Sequence, residues 1–315
     1  MAVDAVAGLF LLLMMFQHFN IVIRTPHTLG HLFMFNTIYF FFKSGMFHKP
    51  VKPGKTLVIK WLKRLIVPFV VCALFGLMLE FVCEWIVAGN CDFAVFYGGL
   101  SQTLRIGAPW WNIPVWFLLT LFVVKLLTAR FDGRHTLIWV SAALSIAAAH
   151  TYLVTMESFN YIGNTALAVV FYILGFKSRS IRLDESRLAV GLLAALFATL
   201  FVFFPAIIDI FHNKATYGNY FVGILFSVVG ILLTNLLFEK YKYLHIRPFV
   251  FAGQNAMLLL VFHVPFYLAF CRLLGGGMLN DVAVNWLGAA FPLGCCAMIS
   301  ILLDRNKKLR WIIGG

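Results

Sequence analysis

The chain has 315 residues, 62% of them hydrophobic and 12% charged, with a mean hydropathy of +0.91. Soluble domains carry about 25% charged residues, so composition excludes an ordinary water-soluble domain and points to a polytopic membrane protein. The net charge of +13, from 25 Lys and Arg against 12 Asp and Glu, would suggest a polyanionic partner in a soluble protein; here it is first a topology signal.

Apolar windows of about 20 residues predict an all-α protein with about ten transmembrane helices. They fall at 3–23, 28–47, 65–87, 113–128, 135–155, 160–177, 187–209, 218–238, 248–271 and 282–303. The first lacks a basic leading segment and a small-residue cleavage site, so it reads as a retained span. Cations crowd alternate connectors. Lys43, Lys49, Lys52, Lys55, Lys60, Lys63 and Arg64 lie around the second connector, and Lys125, Arg130 and Arg134 follow the fourth span. Lys177, Arg179, Arg182 and Arg187 follow the sixth, Lys240, Lys242 and Arg247 the eighth, and Arg305, Lys307, Lys308 and Arg310 the last. The opposite connectors keep only Arg24, Arg105, Lys214 and Arg272. The positive-inside rule then places both termini in the cytoplasm and makes nucleic-acid binding unnecessary as an explanation of the charge. Residues 88–112, with Gly98-Gly99 and Pro109-Trp110-Trp111, read as a partly ordered outer loop, and Gly275-Gly276-Gly277 as an outer turn. A single membrane-embedded domain over 1–315, with no appended soluble domain, is expected.

Polar groups inside the apolar windows carry the chemistry, because an ionisable side chain in hydrocarbon costs several kcal/mol and survives mainly where function or a partner needs it. Asp4 and His18 share one face of the first span, roughly 21 Å apart along its axis. Glu80 and His263 each lie about 15 residues, or roughly 23 Å, from the cytoplasmic starts of their spans. His18, Glu80 and His263 are therefore expected at one level, in a shared water-accessible cavity where a histidine takes a proton from a hydroxyl and a carboxylate orients it. Separate satisfaction by backbone or water is the plainer alternative for each residue alone. Glu84 shares the face of Glu80 one turn further out. On the inner side Lys60, Lys63 and Arg64 suit a phosphorylated cofactor or anionic lipid head groups. Ser44-Gly45 reads as an ordinary helix terminus with Gly as its cap. The six cysteines include no CxxC pair, and no metal site is expected. Cys91 and Cys271 lie near the outer face, where an oxidising compartment would permit, without requiring, a disulfide.

Several stretches, in order, resemble the integral-membrane acyltransferase family 3: Asp4 with His18, then Phe40-Phe41-Phe42-Lys43-Ser44-Gly45, then Lys63-Arg64-Leu65-Ile66-Val67-Pro68-Phe69. They continue with Trp116-Phe117-Leu118-Leu119-Thr120-Leu121-Phe122, Gly253-Gln254-Asn255-Ala256-Met257 and Val261-Phe262-His263-Val264-Pro265. The resemblance implies transfer of an acyl group, commonly acetyl, from cytoplasmic acyl-CoA to a hydroxyl of an extracytoplasmic or lipid-linked glycan. It implies that His18 is the essential first-helix histidine and that Lys63 and Arg64 belong to the basic motif that contacts the coenzyme's phosphates. Lys60 and Ser44 join them as candidate donor-binding residues. Two positions depart from the family pattern: Ala7 stands where an Arg is usual, and Trp61 where a second basic residue is usual. An enzyme of the cytoplasmic membrane is expected, with membrane lipid, acyl-CoA and a sugar acceptor as partners. The rival reading is a proton-coupled transporter or flippase with His18, Glu80 and His263 as its relay.

Overall fold

A computed structural model describes residues 2–19, 21–22, 25–89, 93–154, 160–179, 187–274 and 281–305. The chain runs α1 (Ala2–His18), α2 (Leu29–Leu32), α3 (Asn36–Met46), α4 (Lys55–Trp61), a π-helical turn (Leu62–Ile66) and α5 (Val67–Ala88). It continues with α6 (Phe93–Ile106), a 3₁₀ turn (Trp110–Val115), α7 (Trp116–Thr128), α8 (Thr136–Leu153), α9 (Asn160–Ser178) and α10 (Arg187–Phe203). A hairpin of β1 (Ile207–Asp209) and β2 (Lys214–Tyr217) precedes α11 (Tyr220–Lys240), α12 (Arg247–Gln254), α13 (Ala256–Leu274) and α14 (Asp281–Arg305). Among the described residues, seven helices are long and apolar enough to cross a membrane: 55–88, 93–128, 136–153, 160–178, 220–240, 256–273 and 286–303. α1 and 188–203 are shorter apolar helices. All-α architecture therefore stands, with the small hairpin as the sheet among the described residues.

The structure corrects the expected elements at four places. Residues 93–106 are helical, where a loop was expected from Gly98-Gly99. Gly99 is a packing residue: a Cβ there would press on Leu77 of α5, so α6 lies close against that helix. The window at 28–47 is split into α2 and α3 around Phe33–Phe35. The window ending at 209 stops at Phe203, two residues before Pro205, which lacks the amide hydrogen a helix needs. Its remainder is β1, with Asp209 paired antiparallel to Lys214. The window 248–271 breaks at Asn255, whose side chain donates to the Phe251 carbonyl at 3.0 Å and so competes with helical backbone bonding. Of the two cysteines that an oxidising outer face would permit to pair, Cys271 is a free thiol and Cys91 lies outside the described residues, as does Gly275-Gly276-Gly277.

Two reciprocal glycine contacts hold the centre together. A Cβ on Gly8 of α1 would overlap the Phe249 carbonyl of α12, and one on Gly253 would overlap the Asp4 carbonyl. Likewise, a Cβ on Gly45 of α3 would overlap the Tyr172 carbonyl of α9, and one on Gly175 would overlap the Phe42 carbonyl. In hydrocarbon, where lipid is as apolar as Leu, small residues at such crossings let backbones approach and supply the packing energy. Gly45 is thus no terminal cap; α3 runs on to Met46 and is capped at Phe47. Around these crossings Phe10, Phe35, Tyr39 and Phe41 are at most 1% exposed, and Phe10 meets Phe35 edge-on at 5.3 Å.

Just beyond α3, His48 pins the basic connector. Its Nδ1 pairs with the Tyr172 hydroxyl at 3.0 Å and its Nε2 with the Phe131 carbonyl at 2.9 Å. Arg179 donates to the His48 carbonyl at 2.7 Å. Desolvation lowers the imidazole pKa below its ordinary value, because burial penalises the charged ring.

Candidate active site

His18 closes α1 and is exposed on the wall of a cavity of about 250 Å³, shared with Trp110, Phe117, Asp209, His212 and Leu260. Its neighbour Gln17 fixes the helix end by accepting from the buried Asn36 amide at 2.8 Å and donating to the Gly30 carbonyl at 3.4 Å. His263 of α13 is fully buried, with its ring centroid 5.3 Å from that of His18. Its Nδ1 donates to the Leu259 carbonyl at 2.7 Å, which leaves Nε2 as the acceptor nitrogen, buried and without a hydrogen-bond partner among the described residues. Phe19 and Tyr267, centroids 4.6 Å apart, pack beside this pair.

The expected third member is placed differently. Glu80 lies on α5 against α6, where its Oε2 sits 3.5 Å from the position of a Cβ on Gly99. Glu84, one turn on, accepts from Arg272 of α13 at 2.7 Å. The structure therefore joins His18 to His263 and gives Glu80 neighbours of its own. Counting along α5 gives the level of Glu80 and leaves open the side of the helix on which it faces.

A second cavity, of about 300 Å³, lies beside the other end of the helices and is lined by Lys43, Ser44, Lys125, Phe117, Met257 and Leu260. Lys43 also reaches Asp4 at 3.4 Å, a partly exposed pair worth no more than about 1 kcal/mol. The cation usual at position 7 in the resembling family is absent, and Ala7 is fully buried. Lys43 of α3 brings positive charge to Asp4 from across the crossing instead. Arg64, in the π-helical turn, is close enough to Lys125 for the two cations to repel. Such turns insert one extra residue and often re-aim side chains at functional sites. Lys60 and Lys63 are exposed on the same helical approach. Phe117 and Leu260 line both cavities, so the cation-lined mouth and the histidine chamber meet at those two side chains.

Two features were not found from sequence. In the sequence Lys125 is one more positive-inside cation, and nothing there tells it apart from Arg130. The other is Asp209–His212, whose Oδ2 and Nδ1 are 2.6 Å apart on the chamber wall. An Asp three residues before a His in a connector is common turn chemistry, and only the fold sets it on the wall of the cavity that His18 also lines.

These helices define a multi-pass integral membrane protein. The family model of the acyltransferase domain matches residues 2–303, nearly the whole chain, and the protein belongs to the acyltransferase 3 family. That membership implies acyltransferase activity and an acyl donor. Comparison with curated proteins and with solved structures found no match.

Proposed function

We propose that the protein moves an acyl group, acetyl in the first instance, from cytoplasmic acyl-CoA to a hydroxyl of an extracytoplasmic or lipid-linked glycan. It would do so in the cytoplasmic membrane with both termini inside. The observation that carries this reading is the meeting of two chemically different cavities at Phe117 and Leu260. The mouth with Lys43, Ser44 and Lys125 suits the coenzyme's phosphates, with Arg64, Lys63 and Lys60 extending the positive surface. An apolar boundary at Phe117 and Leu260 suits a thioester arm better than a charged nucleotide. The chamber beyond holds an exposed imidazole.

There His18 acts as general base. Its ring nitrogen takes the acceptor hydroxyl proton as the oxygen attacks the thioester carbon; the carbon–sulfur bond breaks, and the imidazolium passes that proton to the departing sulfur, so that coenzyme A leaves as the thiol and His18 is restored. His263 is the buried neighbour of the His18 ring, and its uncommitted Nε2 is an acceptor available to the imidazolium that forms. Glu80, beside Glu84 and α6, is assigned no step.

The donor half is tested by replacing Lys43 and Lys125 together with Gln. Each charge-assisted contact to phosphate is worth about 1.5 kcal/mol, so the pair is expected to weaken acetyl-CoA binding about a hundredfold. Isothermal titration on protein in nanodiscs measures it. Unchanged affinity would remove this mouth from donor binding.

A further inference from the structure

The chamber has a second histidine whose geometry is that of a working group and not of a packed one. Asp209 ends β1 and its Oδ1 accepts from the backbone amides of Phe211 and His212, at 2.9 and 3.4 Å, so the carboxylate is held in a turn. Its Oδ2 then receives Nδ1–H of His212 at 2.6 Å, which fixes the tautomer and leaves Nε2 as the substrate-facing nitrogen. Among the described residues that Nε2 has no protein partner, and the side chain is 32% exposed.

The turn itself is bolted to the helices. Asn213 is fully buried and adopts a left-handed φ of 49°; its amide donates to the Ala147 carbonyl at 2.8 Å and its Oδ1 accepts from the Tyr220 hydroxyl at 2.6 Å. Asn164 of α9 adds a bond to the Phe211 carbonyl at 3.3 Å. A short loop fixed this firmly, from three helices, presents one imidazole at a constant place. Trp110 is on the same chamber wall and 61% exposed. It is placed by the 3₁₀ turn, which Asn112 secures through a 2.9 Å bond to the Cys72 carbonyl of α5.

We propose that His212, oriented by Asp209, and Trp110 form the acceptor subsite, in which the Trp110 face stacks on a hydroxylated ring and the His212 Nε2 holds one of its hydroxyls. This rests on the acyl-transfer reading and extends it to the acceptor. An exposed aromatic face on the same cavity wall as a committed hydrogen-bonding pair matches a ring that is apolar on its faces and hydroxylated at its edge. His212 positions the acceptor, while His18 takes the proton of the reacting hydroxyl.

A pair of isosteric variants separates this role from a merely structural one. The amide of Asn reaches where Nδ1 lies, so His212→Asn keeps the Asp209 bond and loses the substrate-facing nitrogen. Gln reaches where Nε2 lies and does the reverse. Membrane vesicles from the protein's own cells, carrying the native acceptor, are supplied with labelled acetyl-CoA on the cytoplasmic face. The readout is label esterified to acceptor divided by label released as free acetate. His212→Asn is expected to lower that ratio about tenfold, the effect of one lost hydrogen bond. His212→Gln is expected to recover most of it, and Trp110→Leu to lower it. A parental ratio in His212→Asn with a depressed one in His212→Gln would overturn the subsite and make the dyad a turn brace. Absence of saturable acetyl-CoA binding by the parent protein would instead overturn the transfer reading beneath it.

Discussion

Replacing His18 with Ala lowers acyl transfer by at least about a hundredfold while the protein accumulates in the membrane at its normal level. Loss of a positioned general base costs typically 10² to 10⁴ in rate. The side chain is exposed at the helix end, so truncation opens no void in the core. Quantifying esterified acetate on surface glycans, alongside immunodetection of the protein, checks both halves of the expectation. Undiminished transfer at normal protein level would take His18 out of the step. The fully buried His263 is a poorer first target, because its removal adds a cavity to any chemical effect.

The second large effect is on assembly. Gly253→Ala is expected to destabilise the protein by about 3 kcal/mol, since even one methyl must displace the Asp4 backbone and the whole of α1. Gly45→Ala has the same consequence at the α3–α9 crossing, against Tyr172. Gly191 of α10 supplies the control, because a Cβ there meets nothing within 4 Å and Ala is the better helix former. Thermal unfolding in detergent should therefore fall by several degrees for Gly253→Ala and hold or rise for Gly191→Ala. Equal behaviour of the two would mean that the close crossing is not what holds α1 in place.

That contrast shows which parts of the molecule were readable in advance. Long apolar windows with charges confined to their ends announce helices, and α5, α8, α9 and α11 follow from them. Glycines were ambiguous. Gly98-Gly99 reads as a loop and Gly45 as a cap, because a packing glycine and a chain-breaking glycine are the same residue until a neighbouring helix is known. Asn255 likewise breaks a span through a local side-chain bond that hydropathy does not register.

The site divides along the same line. His18 and His263 stand out because a polar residue in hydrocarbon is expensive, and the fold sets them side by side. Glu80 stands out for the same reason and sits elsewhere, since position along a helix says nothing of its rotation or of a break upstream. Asp209, His212 and Lys125 were invisible because they lie in places where polar residues are ordinary. Lys43 was seen as one cation among many, and only the α1–α3 packing reveals that it reaches Asp4 while lining the mouth.

The most direct test of the account uses sealed vesicles bearing this protein, acetyl-CoA labelled in its acetyl group on the cytoplasmic face, and the cells' own acceptor on the other. Saturable donor binding is expected, with esterified label on the acceptor face that is lost with His18→Ala although binding persists. Esterified label that survives His18→Ala, or a protein that never binds acetyl-CoA, would contradict it.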